Sequence, residues 1–258
     1  MAIAFVQYDD KAGGSGTTVA NDTALNTTSG NFLAVIITGG GSGDNAIVTG
    51  IADTAGNTYQ KAVGAYQSGN TWARSEIWYA ENITGNANNV TTATFTGESY
   101  FLFISVAEFS GVATSSSLLD TSSNTSTSDN TPSSGSATSE NTGDLIIGGY
   151  NCGLIADITV GSGFSTLRSN LVCETEIGEY KILGAAGNYD ADCSLNYSRT
   201  SIMTCAIFSI GASTGTNTQL QIGDDWKEIS AAQINIGDTW KKVAGIQVNI
   251  GDSWKDVF

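Results

Sequence analysis

Histidine is absent from this chain, and the absence closes the commonest routes to nucleophilic catalysis. Ser-His-Asp and Cys-His arrangements both need an imidazole to take a proton near neutral pH. Proline occurs once, at Pro132, so turns fall to Gly, Asn, Asp and Ser, and glycine is abundant at 31 residues. Basic residues number 10 against 25 acidic ones, a formal net charge of -15. That balance repels polyphosphate and anionic lipid, so neither nucleic acid nor a membrane is an expected partner. No stretch of the sequence is long and apolar enough for a membrane-spanning helix. The start, Met1-Ala2-Ile3-Ala4-Phe5-Val6-Gln7-Tyr8, lacks the basic and long apolar regions of a secretory signal and reads as a strand.

Metal and cofactor chemistry is equally poorly provided for. Cys152, Cys173, Cys193 and Cys205 all lie in the second half with no CxxC spacing. They read as small buried hydrophobes, and no disulfide connectivity is legible. Calcium would draw on Asp9, Asp10 or Asp53, but the Asp-x-Asp-x-Asp spacing of a dedicated loop is missing. Paired carboxylates are the one catalytic class left, with Glu108, or Glu174 with Glu176 and Glu179, as candidates for glycoside hydrolysis. The plainer reading has Glu174, Glu176 and Glu179 solvated in a polar strand and Glu108 bonded to buried backbone or tyrosine. No enzyme activity and no cofactor are expected.

What the chain does contain is a motif written three times at a period of 14 residues, beginning at Gln219, Gln233 and Gln247. Each copy runs from an apolar-polar-apolar triplet ending at Ile222, Ile236 or Ile250, through Gly-Asp-x, into Trp-Lys-x-Ile or Trp-Lys-x-Val. The triplet and the Trp segment read as strands and Gly-Asp-x as turn chemistry, so each copy reads as a small β-hairpin. In an extended strand Trp226 and Ile229 fall on opposite faces, as do Trp240 and Val243, and Trp254 and Val257. A ribbon apolar on both faces needs a partner on both. The sharp expectation is an assembly interface of Ile222, Trp226, Ile229, Ile236, Trp240, Val243, Ile250, Trp254 and Val257, stacking on other chains around a three-fold axis as a homotrimer. Two alternatives stand beside it: an appendix folded back on the main domain, and a row of sugar-stacking tryptophans.

Residues 1–210 read as a succession of short strands with no helical periodicity over twelve residues or more. The apolar run 32–37 suits a central strand covered on both faces, and the glycine-rich 39–45 that follows is a turn, lacking the lysine of a phosphate loop. Strands are expected at 46–51, 59–66, 75–79, 90–95 and 100–109, with Thr96-Gly97-Glu98-Ser99 splitting the last two. Residues 113–143 are rich in Ser, Thr and Asn and fit either a disordered linker or a long polar edge strand or loop. Further strands follow at 144–148, 158–160, 164–167, 174–183 and 201–210. The expected fold is all-β: a jelly-roll-like two-sheet β-sandwich over 1–210, a linker at 211–218, and three hairpin repeats over 219–258.

Five motifs then occur in order: Asp53-Thr54-Ala55-Gly56-Asn57-Thr58-Tyr59, Ile77-Trp78-Tyr79-Ala80-Glu81-Asn82-Ile83, Ala107-Glu108-Phe109-Ser110-Gly111-Val112, Gly143-Asp144-Leu145-Ile146-Ile147-Gly148 and Gly161-Ser162-Gly163-Phe164. Together they resemble a widespread β-sandwich module of bacterial surface and secreted proteins and of phage structural proteins, over roughly residues 1–212. The resemblance implies a fold and a setting, and it brings no catalytic residues. Residues 234–243 resemble short repeats that close the C-termini of phage tail, fibre and other virion proteins. These resemblances imply a phage structural protein in the virion, as fibre, head decoration or tail-surface component, with copies of itself and other virion proteins as partners. The alternative is a carbohydrate-binding adhesion module of a bacterial surface or secreted protein. Trp78, flanked by Ile77 and Tyr79 in a strand, reads as core, whereas Trp72, in the polar Ser68-Gly69-Asn70-Thr71 turn, is the candidate for glycan stacking.

Overall fold

The computed structural model describes residues 2–12, 14–40, 47–66, 73–152, 157–170, 175–211, 218–222, 225–229, 233–236, 239–242, 247–250 and 253–256. Among them there is no helix, and the fold is all-β, as the strand pattern led one to expect. The chain divides into two units, Met1–Gly211 and Ala212–Phe258.

In the first unit the strands come in two series. The first comprises β1 (Ala4–Ala12), β2 (Gly16–Ala20), β3 (Leu25–Thr27), β4 (Phe32–Gly40), β5 (Val48–Asp53), β6 (Gln60–Tyr66), β7 (Arg74–Ala80), β8 (Asn86–Asn89) and β9 (Thr91–Ser110). The second comprises β10 (Leu118–Asp129), β11 (Ala137–Ser139), β12 (Leu145–Cys152), β13 (Ile158–Val160), β14 (Ser165–Asn170), β15 (Thr175–Ile182), β16 (Gly187–Tyr189), β17 (Cys193–Leu195) and β18 (Arg199–Phe208). Each series makes its own antiparallel sheet, with order β1-β9-β4-β7-β6 in the first half and β10-β18-β12-β15-β14 in the second. Taken in chain order, the five strands of either path are arranged first, fifth, second, fourth, third. The sandwich is therefore one motif built twice.

The likeness extends to irregularities that chance would not match. In β1 a β-bulge falls between Phe5 and Gln7, opposite Phe109 and Glu108; in β10 one falls between Leu118 and Asp120, opposite Phe208 and Ile207. A second pair of bulges lies at Lys61/Val63 in β6, opposite Trp78/Ile77, and at Thr166/Arg168 in β14, opposite Glu179/Gly178. A bulge bends its strand and raises the local twist, so matched bulges give the two edge pairs matched curvature. The corners entering β4 and β12 also agree. Gly30 and Gly143 both have positive φ, at 85° and 94°, a conformation that suits glycine. Each N–H donates across the corner, Gly30 to the Ile83 carbonyl at 2.9 Å and Gly143 to the Leu183 carbonyl at 2.7 Å. Ile83 and Leu183 in turn donate to the carbonyls of Asn31 and Asp144, at 3.0 and 2.8 Å.

β4 and β12 are buried along their whole length, which explains their unbroken apolar runs. Alternate residues face opposite ways. One face of each sheet meets the other, bringing Phe32, Ala34, Ala107 and Phe109 of the first half against Leu145, Ile147, Ala206 and Phe208 of the second. The Phe32 and Phe208 ring centroids stand 4.8 Å apart, with Tyr79 5.1 Å from Phe208. The remaining faces have covers of their own. Val19, Leu25 and Val48 close over Leu33, Val35 and Ile37, while Ala137, Cys193 and Leu195 close over Ile146, Tyr150 and Met203. Each fully buried large side chain contributes about 1.5–3 kcal/mol.

Two readings of the sequence change here. The split expected at residues 96–99 does not occur, because β9 runs unbroken from Thr91 to Ser110. Its first part pairs with β2 and β5 and its second with β1 and β4, and the change is accommodated at Phe101, whose φ is 50°. Of the two options for 113–143, the edge strand is the one the chain adopts. β10 is a Ser/Thr-rich strand at the border of the second sheet, hydrogen-bonded along β18, where polar residues suit a half-solvated edge. The glycine-rich turn at 39–45 and the linker at 211–218 fall largely outside the described residues.

The second unit contains β19 (Thr218–Ile222), β20 (Asp225–Ile229), β21 (Gln233–Ile236), β22 (Thr239–Lys242), β23 (Gln247–Ile250) and β24 (Ser253–Asp256). They pair as three separate two-stranded antiparallel sheets, β19 with β20, β21 with β22 and β23 with β24. The register repeats from copy to copy: Trp226 pairs with Gln221, Trp240 with Asn235 and Trp254 with Asn249.

Candidate functional site

The residues expected to form an assembly interface fall on the hairpins as follows. Ile222, Ile236 and Ile250 end the first strand of each hairpin, and Trp226, Trp240 and Trp254 sit second in the return strand. Ile229 ends β20, whose unbroken register places Trp226 and Ile229 at positions of opposite parity. Val243 and Val257 lie outside the described residues. So does Trp72, the glycan-stacking candidate.

A group that sequence reasoning did not single out lies at one edge of the first sheet, on β6 and β7. Glu76 is fully buried and is the hub. Tyr66 donates to its Oε1 at 2.5 Å, the Trp78 indole N–H donates to its Oε2 at 2.9 Å, and Lys61 Nζ lies 2.9 Å from Oε2. Arg74 Nε stands farther off, 3.9 Å from Oε1. The Arg74 guanidinium lies over the ring of Tyr66 at 4.9 Å and that of Phe95 at 5.5 Å. Burial pushes the Arg74 pKa down, and burial, together with the Glu76 carboxylate, pushes the Tyr66 phenol up, so Tyr66 stays a donor at neutral pH. Tyr66 keeps 44% of its surface in solvent. The signal available in the sequence was the alternation of Arg74, Glu76 and Trp78 along one strand face, which the apolar reading of that strand passed over.

The carboxylates weighed for hydrolysis have other employment. Glu108, fully buried, accepts from Thr28 N–H at 2.8 Å, Asn31 Nδ2 at 2.7 Å and Gln7 Nε2 at 2.6 Å, tying down the corner before β4. In the second half the same service comes from Asp144, which accepts from Asn141 N–H at 2.8 Å and Ile210 N–H at 3.0 Å. Glu176 and Glu179 are not solvated as expected; both are fully buried. Glu176 accepts from the Thr38 hydroxyl across the two sheets. Glu179 accepts from Gly161 N–H at 3.1 Å, and burial, with the nearby Asp192 carboxylate, raises its pKa to about 8. These acids are held by donors within the protein instead of water, Glu176 from the opposite sheet and Glu179 from the Gly161 backbone. Glu174 lies outside the described residues.

Asp53 is likewise occupied, by donors from Asn57 N–H at 2.9 Å, Asn57 Nδ2 at 2.8 Å, Tyr59 at 2.9 Å and Asn89 at 3.0 Å. Burial works against its charged form, but these hydrogen bonds outweigh it and hold its pKa below the ordinary value. Asp9 accepts from Thr23 N–H at 2.7 Å. No group of three or more metal-ligating side chains occurs among the described residues. Cys152, Cys193 and Cys205 are buried, as their reading as small hydrophobes requires, and Cys173 lies outside the described residues.

No family model, no curated protein and no solved structure matches the chain.

Proposed function

We propose that this chain is a non-enzymatic structural component of a phage particle, a fibre, head-decoration or tail-surface protein. In this reading the hairpins of 219–258 join sister chains into a trimer or anchor the protein to other virion components, and the sandwich is presented outward. The observation that carries the reading is the tail itself: three two-stranded sheets of one register, each separate from the others among the described residues. A lone hairpin is at best marginally stable in water, and stacking is what stabilises an array of such ribbons. Trp226, Trp240 and Trp254 supply large apolar surfaces at a fixed interval, suited to a repeated contact. The resemblance of 234–243 to the repeats closing virion proteins supplies the setting.

Truncation after Thr218 tests this. The truncated chain is expected to run as a folded monomer while the full chain runs as a trimer in size-exclusion chromatography with light scattering. Equal behaviour of the two would sink the trimer. The second reading, a carbohydrate-binding adhesion module, is favoured by the half-exposed Tyr66 beside the cationic groups on β6 and β7. It predicts that glycan binding survives loss of the tail unchanged.

A further inference from the structure

The duplication of the sandwich supplies an internal control for the polar group on β6 and β7. Because strand order, bulges and corners correspond, positions on the paired strands of the two sheets have counterparts. Glu76 lies opposite Ile37 on β4, and Ile177 lies opposite Tyr150 on β12, at the matching place in the register. Arg74 lies opposite Gly39, and Thr175 opposite Cys152, likewise matched. Where the first half buries a glutamate, the second buries an isoleucine, Ile177, inside an apolar cluster. The scaffold therefore has no need of ionised groups at this site, and burying them costs desolvation that apolar packing would avoid.

Among the described residues the charges at the site also fail to cancel. Lys61 and Arg74 bring two cations to the single carboxylate of Glu76, leaving an excess positive charge in a chain of net charge -15. Arg74 is the less satisfied of the two. Its side chain is only 9% exposed, yet among the described residues its Nε and Nη1 have no hydrogen-bond acceptor, the nearest Glu76 oxygen standing 3.9 Å from Nε. A buried guanidinium with two unpaired nitrogens is costly, and an incoming anion relieves that cost. Lys61, with 34% of its side chain exposed, offers the solvent-side approach, and both cations lie over the half-exposed ring of Tyr66, Lys61 Nζ at 5.7 Å and the Arg74 guanidinium at 4.9 Å from its centroid.

From these observations we infer that the Lys61, Tyr66 and Arg74 group is a binding site for a carboxylate-bearing saccharide. The acid group is drawn to the two cations and the sugar ring packs against the part of Tyr66 left in solvent. The guanidinium is suited to a planar carboxylate, and an aromatic face to the apolar face of a sugar. This site is independent of the tail, so it stands or falls apart from the assembly reading.

The test is titration of the full-length protein with D-glucuronate, D-glucose and acetate, followed by NMR shifts of the β6 and β7 amides. Saturable binding of glucuronate, with glucose and acetate at least tenfold weaker, is expected, the tenfold corresponding to about 1.4 kcal/mol. Lys61→Met should weaken glucuronate binding by about tenfold without disturbing the fold, since it keeps the stem and removes one charge. The double variant Arg74→Thr with Glu76→Ile copies the second half's residues and should fold but not bind. Acetate binding as tightly as glucuronate would overturn the sugar assignment. Absence of saturable binding, or undiminished binding by the folded double variant, would overturn the site.

Discussion

The chain repeats itself in two ways, and the two repetitions end differently. In the sandwich the copies are two, and they face each other, so Phe32 and Phe109 of one half and Leu145 and Phe208 of the other leave water together. In the tail the copies are three short ribbons, and among the described residues each ribbon is a sheet of its own. A duplicated sheet with one apolar face closes against its twin and also grows a separate cover for its other face, as Val19 and Val48 do in the first half and Ala137 and Leu195 in the second. A ribbon of two four- or five-residue strands has too little side-chain surface to do either alone. On the assembly reading proposed above, the contrast puts the demand for a partner in the tail.

The comparison breaks most severely if the sandwich halves are not mutually dependent. Phe109→Ala and Phe208→Ala occupy matching places in the shared core and should each cost ~3–5 kcal/mol. Each should also lower a single cooperative unfolding transition, followed by circular dichroism and intrinsic fluorescence together. Two separated transitions, with one half melting alone, would show that the sheets do not depend on each other.

The next effect sharpens the difference between the halves. Glu179 stands opposite the bulge in β14 where Trp78 stands opposite the bulge in β6, so the second half buries an acid at the place of an indole. Its pKa is raised from 4.5 to about 8, chiefly by burial. The folded state thus keeps a proton that the unfolded chain has released. The stabilising contribution is complete below about pH 4.5 and is lost as pH rises through about 8. Denaturant unfolding across that window should show a decline on the order of a few kcal/mol from this group. Glu179→Gln should remove that part of the slope; an unchanged slope would mean that Glu179 does not hold the proton.

Smaller still is the effect at the matched corners. Gly30→Ala and Gly143→Ala both force an L side chain into positive φ, at roughly 1–2 kcal/mol each. Gly143→Ala should be the worse, because its Cβ would lie 3.0 Å from Ile210 Cδ1 whereas that of Gly30 meets nothing within 4 Å. Thermal melting of the two variants decides it, and the reverse order would put the corner correspondence in doubt.

Much of the fold was legible in the sequence because strands announce themselves locally. The run 32–37 marked a strand covered on both faces, and the alternation of Leu102, Ile104 and Val106 with Phe103, Ser105 and Ala107 marked another. The duplication was not legible. Its surviving identities are scattered single residues such as Tyr79 and Tyr180, Ala107 and Ala206, and Phe109 and Phe208, separated by loops of different length. One half runs through β9 without a break where the other uses two strands, β17 and β18. Functionally equivalent groups have also changed residue: the corner amide acceptor is Glu108 in one half and Asp144 in the other, so only hydrogen bonds reveal that they correspond. The group around Glu76 was missed for a related reason, since whether an acid in a strand is solvated or buried depends on neighbours far away in sequence. The hairpins were legible because their signal is local, consisting of a short period and turn chemistry in every copy.

The mass of the intact protein in solution tests the assembly claim most directly. Sedimentation equilibrium over a range of micromolar concentrations should return three times the 26.7 kDa of one chain. A mass of 26.7 kDa throughout that range would contradict it.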